Sequence, residues 1–194
     1  MELDAVLVAH PTTISTPVHA IAARVQFDRA SGLSLRFVLT GELRDINLAA
    51  AGEVERSDRL WEHTCFEMFV EGEAGARYLE FNFAPSRQWA AYAFSGYRQR
   101  DESWAPPVPA IAIDRRESAL ELRARIPLEG LRLLCPSRTL RLALSAVIEA
   151  RDGVLSYWAL AHPPGRPDFH HADGFVLSLD VVGATALRPV ADLP

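Results

Sequence analysis

The sequence predicts an all-β protein, an antiparallel β-sandwich of jelly-roll type with little helix. Three observations lead to this prediction. Apolar residues recur at a period of two rather than 3.6, which indicates half-buried strands. The links between the alternating runs are rich in Gly, Asp and Ser, as expected for tight turns. Helix signals are confined to two short segments, so we expect less than about a tenth of the residues in α-helix.

Five runs alternate most clearly along the chain. They read HAIAARVQF from His19, LSLRFVL from Leu33, ALELRARI from Ala119, TLRLALSAVI from Thr139 and FVLSLDV from Phe175. Each places apolar residues on one face of a strand and polar residues on the other. This phase predicts a set of core residues: Leu35, Phe37, Leu122, Leu142, Leu144, Phe175 and Leu177.

The remaining segments fit a single domain that spans residues 1–194. DRASG, EGEAGA and RDG are turn sequences, and about ten strand candidates are spaced as in an antiparallel sandwich. LRDINLAA and IPLEGLRLL are the two short helical candidates, and Pro127 stands at the start of the second. SGYRQRDESWAPPVP and AHPPGRPDFHHADG read as long loops, which are common places for functional sites.

Composition argues against several classes of partner. The net charge is −5, and the basic residues are scattered arginines with no lysine, which disfavours nucleic-acid binding and suggests a GC-rich, bacterial genome. No stretch approaches the length of a membrane span. The N-terminus lacks the basic and apolar regions of a signal peptide, so we expect a cytoplasmic protein. Cys65 and Cys135 are far apart, and we expect them to be free thiols.

Two apolar segments carry unexpected polar residues. WEHTCFEMFV, which begins at Trp61, contains Glu67, and RYLEFNFAPS contains Glu80 and Asn82. A buried charge is costly unless other groups satisfy it. In one register of the two strands, Glu67 lies on the same face as Glu80 and Asn82 and the three form a polar patch. In the other register, Glu67 is isolated among aromatic residues. We favour the first register because it costs less free energy. The alternatives are a solvated face paired with Arg side chains, or the two carboxylates of a retaining glycosidase.

The loop AHPPGRPDFHHADG is dense in potential metal ligands. They are His162, Asp168, His170, His171 and Asp173. Their spacing matches no standard zinc signature, so we predict neither a metal site nor a cofactor. The alternatives are a proline-stiffened loop whose polar side chains bond the backbone, or one wall of a ligand site.

Three blocks resemble a known superfamily. RLWEHTCFEMFV, YLEFNFAPSRQWAAY and YWALAHPPGRPDFHHADGF are similar to the DOMON-like superfamily, which includes the family 9 carbohydrate-binding modules, and the similarity runs roughly from Thr16 to Val182. The resemblance implies a jelly-roll-like sandwich that binds a small ligand between an aromatic clamp and a carboxylate. By motif position, Trp61 would form half of the clamp and Glu67 would accept hydrogen bonds from hydroxyls. The chain departs from the calcium-binding pattern of those modules, because His63 and Thr64 replace acidic residues.

The function predicted from the resemblance and the residues together is non-catalytic binding of a small polar ligand, most plausibly a carbohydrate or a sugar-derived metabolite. The predicted ligand-binding residues are Trp61, Glu67, Glu80, Asn82, Arg87, Trp158, His162, Phe169 and His170. Trp158 and Phe169 compete for the second half of the clamp. For Trp61 and Glu67 to share a site, the chain must bend near His63, because six residues of extended strand span about 20 Å.

Other functions remain open at this stage. One is a hydrolase that uses Glu67 and Glu80 with a histidine from the late loop. Another is a haem-binding domain with Met68 as a ligand, and a third is an interaction module whose sheet edge pairs with a partner. The sequence leaves the oligomeric state open.

Overall fold

The computed structural model describes residues 2–13, 15–28, 30–73, 75, 77–134 and 137–181. Twelve β-strands lie within these residues. They are β1 (Glu2–Ala9), β2 (Val18–Asp28), β3 (Gly32–Gly41), β4 (Cys65–Gly72), β5 (Tyr78–Phe83), β6 (Trp89–Gly96), β7 (Gln99–Asp101), β8 (Ala110–Arg115), β9 (Ala119–Ile126), β10 (Thr139–Glu149), β11 (Leu155–Ala159) and β12 (Leu177–Asp180).

The strands form two layers in which neighbouring strands run antiparallel. The first sheet has the order β1-β2-β3-β9-β8, and the second has the order β7-β6-β5-β4-β10-β11, with β12 beside β10. Strand β1 joins the layers, because its residues up to Leu7 pair with β2 whereas Val8 and Ala9 pair with β11. The predicted all-β sandwich is confirmed.

The core lies between the two sheets, as the period-two pattern requires. The rings of Phe37 in β3 and Phe66 in β4 face each other across the layers at 5.2 Å. Five residues of the predicted core are buried there: Leu35, Phe37, Leu122, Leu142 and Leu144. Two predicted core positions differ. Phe175 is buried on the opposite side of the second sheet, because the chain is not yet extended there. Leu177, at the start of β12, is only partly buried.

The helical content is low, as predicted. The helical segments of the described residues are short 3₁₀-helices at Leu43–Asp45, Leu60–Glu62, Leu128–Leu134 and Ala172–Gly174. Two of them fall within the two predicted helical segments. None of the helices found in the described part of the chain is long and apolar enough to cross a membrane.

Trp61 is not part of a strand, although the apolar run beginning there suggested one. It lies in the 3₁₀-helix Leu60–Glu62, and His63 ends that helix with extended backbone angles. The strand β4 begins only at Cys65, so the chain bends where a shared site for Trp61 and Glu67 requires it. Strand β7 is a second difference, because it lies inside a segment that we expected to be loop.

The second sheet has an outer face, turned away from the first sheet, that is also largely buried. Its cover includes the loop 160–176, which connects β11 to β12. The loop leaves the sheet where Leu160 N–H donates to Leu144 O at 3.1 Å and returns where Leu177 pairs with Leu142, so its two ends lie close together on one edge of β10. Such a compact excursion between nearby ends is an Ω-type loop, and it lays its side chains across the outer face.

Cys65 lies on this outer face as a fully buried free thiol, as expected. Cys135, Val182 and the C-terminal segment beyond it lie outside the described residues.

Candidate ligand-binding site

The outer face of the second sheet carries three buried polar side chains on adjacent strands. Glu67 in β4 pairs directly with Asn82 in β5, and Glu80 is two residues before Asn82 on the same strand. Residues two apart on a strand share a face, so all three point outward. This is the register favoured in the sequence analysis. Each of the three is at most 5% exposed, so the loops above them exclude most solvent.

A cleft of about 470 Å³ opens above these carboxylates. Glu67 and Glu80 line its floor. Its walls include the aromatic residues Trp61, Tyr157 and Phe169, together with Arg98, Arg100 and His170. Concave sites that combine aromatic walls with a few buried polar groups are typical of small-ligand binding.

Half-buried aromatic rings stand on two opposite sides of the floor. Trp61 packs edge-on against Tyr92 of β6, with ring centroids 5.9 Å apart. Tyr157 of β11 contacts Phe169 of the loop 160–176 at 6.2 Å. Because β5, β4 and β10 lie between β6 and β11, the carboxylate floor separates the two aromatic groups.

Burial controls the protonation of the floor. Glu67 accepts a hydrogen bond from Ser145 Oγ at 3.0 Å, and Glu80 accepts one from Asn82 Nδ2 at 2.7 Å. Removal from water raises the pKa of Glu67 to about 8, with the nearby Glu80 adding to the effect. Removal from water likewise raises the pKa of Glu80 to about 7. A carboxyl group is therefore protonated here at a pH where an exposed glutamate is ionised.

His170 is oriented by a short chain of hydrogen bonds. The backbone N–H of Arg98 donates to the hydroxyl of Tyr78 at 3.0 Å, which leaves that hydroxyl to donate to Nδ1 of His170 at 2.9 Å. The neutral imidazole then carries its proton on Nε2, which lies 3.7 Å from a carboxylate oxygen of Glu80. Burial, assisted by the positive charge of Arg98, lowers the pKa of His170 to about 4, so the ring is neutral at neutral pH.

The loop 160–176 is fastened to the turn between β6 and β7. Asp168 accepts hydrogen bonds from Tyr97 at 2.5 Å and from Arg98 at 2.8 Å, and it also accepts one from the backbone N–H of His170 at 3.1 Å. Arg98 lies at the end of that turn with a φ of 55°, a left-handed conformation in which non-glycine residues are uncommon. These contacts hold Phe169 and His170 over the sheet.

The structure brings together Trp61, Glu67, Glu80, Phe169 and His170 around one cleft. Asn82 lies just beneath it, fully buried beside Glu80. The other three predicted site residues lie elsewhere.

Trp158 points into the core between the sheets, because it alternates with Tyr157 on β11, and its indole donates to Ser156 Oγ at 3.1 Å. Arg87 has a φ of 72° and donates to the carbonyl oxygens of Gly52 and Ile111, so it fixes a turn away from the cleft. His162 bonds Val8 O at 2.9 Å at the base of the loop 160–176.

Two other groups of potential ligands identified in the sequence, one for haem and one for a metal ion, do not come together in the cleft. Met68 faces the core between the sheets and is fully buried there, so its sulfur does not reach the cleft. Within the described ranges, no three His, Cys, Asp or Glu side chains stand close enough to hold a metal ion. Asp168, His170 and His171 instead bond Tyr97, Tyr78 and the backbone N–H of Asp173.

Seven residues that line the cleft are absent from the predicted set of ligand-binding residues: Phe69, Phe94, Arg98, Arg100, Val147, Tyr157 and Pro167. Tyr157 was passed over for its neighbour Trp158, although strict alternation with the buried Trp158 would have placed Tyr157 on the outer face. Arg98 and Arg100 were assigned to a loop, and nothing in the sequence shows that this loop turns back onto the face that carries Glu80.

Two solved structures share this fold. A protein of Bacteroides uniformis ATCC 8492, to which carbohydrate binding has been ascribed, superimposes with a TM-score of 0.62 at 17% identity, covering 93% of this chain and 85% of its own. A family 9 carbohydrate-binding module from Caldicellulosiruptor kristjanssonii, solved with cellotriose, superimposes with a TM-score of 0.57 at 8% identity, covering 84% and 74%. The sequence matches no protein-family model and no curated protein. The similarity therefore concerns the fold, and the wider DOMON-like relationship stays a prediction.

Proposed function

We propose that this protein is a non-catalytic binding module for a carbohydrate or a sugar-derived metabolite, which it holds in the cleft above Glu67 and Glu80. The observation that carries the proposal is the position of half-buried Trp61, Tyr157 and Phe169 on two sides of a buried polar floor. Aromatic rings pack against the C–H faces of a sugar ring, while carboxylates accept hydrogen bonds from its hydroxyls. The fold shared with a cellotriose-bound module adds support.

The walls supply further hydrogen-bond donors. Arg98 and Arg100 line the cleft on the side of β7, and a guanidinium is a donor with no acceptor. The guanidinium of Arg100 lies 3.9 Å from the centroid of the Tyr92 ring, in a cation–π contact next to Trp61. A polyhydroxylated ligand would thus meet acceptors below it and donors beside it.

Tryptophan fluorescence tests the proposal. We expect a panel of neutral, amino and acidic sugars, titrated to millimolar concentration, to include at least one that changes the emission. Trp61→Ala should abolish that change, because the ring leaves the wall of the cleft. Trp104→Phe is the matched control: Trp104 packs 6.0 Å from Phe81 on the inner face of β5, away from the cleft, so the change should persist.

Two outcomes would contradict the proposal. One is the absence of any response across the panel. The other is a response that survives Trp61→Ala but disappears in Trp104→Phe, which would place the ligand on a different surface.

A second candidate function is glycoside hydrolysis, favoured by the two carboxyl groups of raised pKa. Glu67 and Glu80 are diagonal neighbours on β4 and β5, and His170 lies beside Glu80. A raised pKa suits a general acid, and a second carboxylate nearby suits a nucleophile or base. Incubation with oligosaccharides and measurement of released reducing ends decides this candidate: product formation that Glu80→Gln eliminates would support it, and the absence of turnover on bound sugars would exclude it.

A further inference from the structure

The floor of the cleft contains more hydrogen-bond acceptors than the protein satisfies. Asn82 donates through Nδ2 to Glu80, but its Oδ1 is buried and has no hydrogen-bond partner among the described residues. Glu67 accepts from Ser145 through one oxygen only. A buried acceptor without a donor costs about 1–3 kcal/mol, so a donor that reached Asn82 Oδ1 from the cleft above it would stabilise the floor.

Among the described residues no arginine forms a direct ion pair with the floor, although the charges of Arg98 and Arg100 act on Glu80 and that of Arg98 acts on Glu67. Each nearby arginine is engaged by another group: Arg98 by Asp168 at 2.8 Å, and Arg100 by the Tyr92 ring and by Glu102 at 3.8 Å. In the part of the chain that the structure describes, the only ion-pair partner of Glu80 is His170, and Glu67 has none.

Neutral His170 does not offset the charge of Glu80. Burial holds its pKa well below the ordinary value, so the imidazole carries no charge near neutral pH. Glu67 and Glu80, whose pKa values are raised, therefore hold protons in the free protein, and a bound cation would favour their ionised form.

We propose that the cleft floor binds a protonated primary amine, so that the preferred ligand is an amino sugar. This inference rests on the proposed carbohydrate-binding function and narrows it. An ammonium group has three N–H donors and one positive charge. Glu67, Glu80 and the Oδ1 atom of Asn82 lie on one face of two adjacent strands, and the two carboxyl groups become negatively charged acceptors when the ammonium group displaces their protons to solvent. A sugar hydroxyl would supply one donor and no charge that favours ionisation of the carboxyl groups.

The aromatic walls distinguish this site from one for a bare cation. Calcium takes six to eight oxygen ligands, whereas the floor supplies oxygens from only three side chains. Trp61 and Phe169 contribute no oxygen ligands but present apolar surface to the rest of a ligand. The same surface accepts the ring that carries the amine.

Three trisaccharides of matched linkage test the inference: cellotriose, the corresponding trimer of glucosamine, and the trimer of N-acetylglucosamine. Binding is measured by calorimetry at about pH 6.5, where an amine of ordinary basicity is protonated. We expect the glucosamine trimer to bind at least about tenfold tighter than cellotriose, since charge-assisted hydrogen bonds are roughly twice as strong as neutral ones. The acetylated trimer should lose this advantage, because acetylation removes the charge.

Glu67→Gln is the informative variant because it keeps the shape of the side chain but cannot ionise when the amine binds. It should reduce the preference for the glucosamine trimer to less than about threefold. Glu117→Gln, at an exposed glutamate on the far turn between β8 and β9, is the matched control and should leave the preference intact. Circular dichroism confirms that both variants are folded.

The outcomes separate this inference from the proposed function. Equal affinity for cellotriose and the glucosamine trimer, or an acetylated trimer that binds as tightly as the free amine, overturns the inference and leaves carbohydrate binding in place. A failure of all sugars to bind contradicts the proposed function and the inference with it.

Discussion

Glu67 and Glu80 are the residues whose environment departs furthest from what their side chains prefer. Both carboxyl groups are buried on the outer face of the second sheet, and both have a raised pKa. Proteins keep such groups when a ligand or a reaction uses them more often than for stability. Because burial of these carboxyl groups lowers the stability of the ligand-free protein, their effect can be measured in unfolding experiments before the ligand is known.

The stability of the protein should fall as the pH rises from about 6.5 to 8. The pKa of Glu67 is about 8 in the folded protein against an ordinary value of 4.5, so the folded state holds a proton that the unfolded state has lost. Stability falls with pH wherever the folded state binds more protons. His170 acts in the opposite direction, but only between its folded pKa of about 4 and its ordinary 6.5. Above pH 6.5 the carboxyl groups therefore dominate.

Urea denaturation at several pH values checks this prediction. Each group contributes at most about 1.4 kcal/mol per pH unit to the slope. Glu67→Gln should flatten the profile, and Glu117→Gln, a change at an exposed site, should leave it as in the wild type. A stability that rises between pH 6.5 and 8 would show that the carboxyl groups are not protonated in the folded state.

Phe169 should contribute to ligand affinity more than to folding. Its ring is half-buried, contacts Tyr157 and lines the cleft. Phe169→Ala should weaken sugar binding by about tenfold, the equivalent of about 1.4 kcal/mol, because a stacking surface is lost. Val176→Ala removes an exposed side chain of the same loop and should leave affinity unchanged. Equal effects of the two substitutions on affinity would remove Phe169 from the site.

At the scale of elements, the loop 160–176 depends on its attachment to the β6–β7 turn through Asp168 and Arg98. Asp168→Asn should weaken that attachment while changing the global free energy of unfolding by less than about 1 kcal/mol, because the pair is partly exposed. Hydrogen exchange of the loop amides should accelerate, since local opening is governed by local contacts.

Asp114→Asn breaks a comparable exposed pair with Arg116 and is the control. It should leave exchange in the loop 160–176 unaltered. Unchanged loop exchange in Asp168→Asn would mean that the other contacts of the loop, such as the packing of Phe169 and Phe175 and the hydrogen bond of His170 with Tyr78, hold it in place without Asp168.

The strands that could be predicted are those with one solvated face. In β3 and β9, one face of each strand packs on the core and the other meets solvent, so alternation shows directly in the sequence. In β4 and β5 every residue is buried, because the loop 160–176 and the Leu60–Glu62 turn cover the outer face. A strand buried on both faces lacks an alternating apolar and polar pattern, so the sequence does not show that the strand begins at Cys65 rather than at Trp61.

The site could be predicted where the alternation of side chains along one strand determines the face on which a residue lies. Glu80 and Asn82 share a face in any extended strand, and the cost of burying Glu67 alone favoured the register in which β4 pairs with β5. The contributions of Arg98 and Arg100 depend on which distant segments cover the outer face. That is a property of the tertiary fold, and one sequence carries no signal for it.

At the scale of the whole molecule, stability should come mainly from the core between the sheets. Leu142 is fully buried there, so Leu142→Ala should lower the free energy of unfolding by about 2–5 kcal/mol. Leu177→Ala, on the paired strand β12, should cost less than half of that because its side chain is only partly buried. Denaturant unfolding of both variants checks the order, and a loss of less than about 0.5 kcal/mol in Leu142→Ala would place the core on the wrong face of β10.

The architecture explains how one sheet can serve both stability and binding. The second sheet packs its inner face against the first sheet, and its outer face carries a smaller cluster around Phe69 and Tyr78. This arrangement keeps Trp61, the carboxylates and the loop 160–176 on a rigid base. Sites on rigid elements lose less entropy when a ligand binds.

A crystal structure with the tightest-binding sugar of the panel tests the central claim most directly. The account predicts a sugar ring between Trp61 and Phe169, with an amine or hydroxyl within hydrogen-bond distance of Glu67 or Glu80. A sugar bound on the first sheet, or at any surface where Trp61 and both carboxylates remain uncontacted, would contradict it.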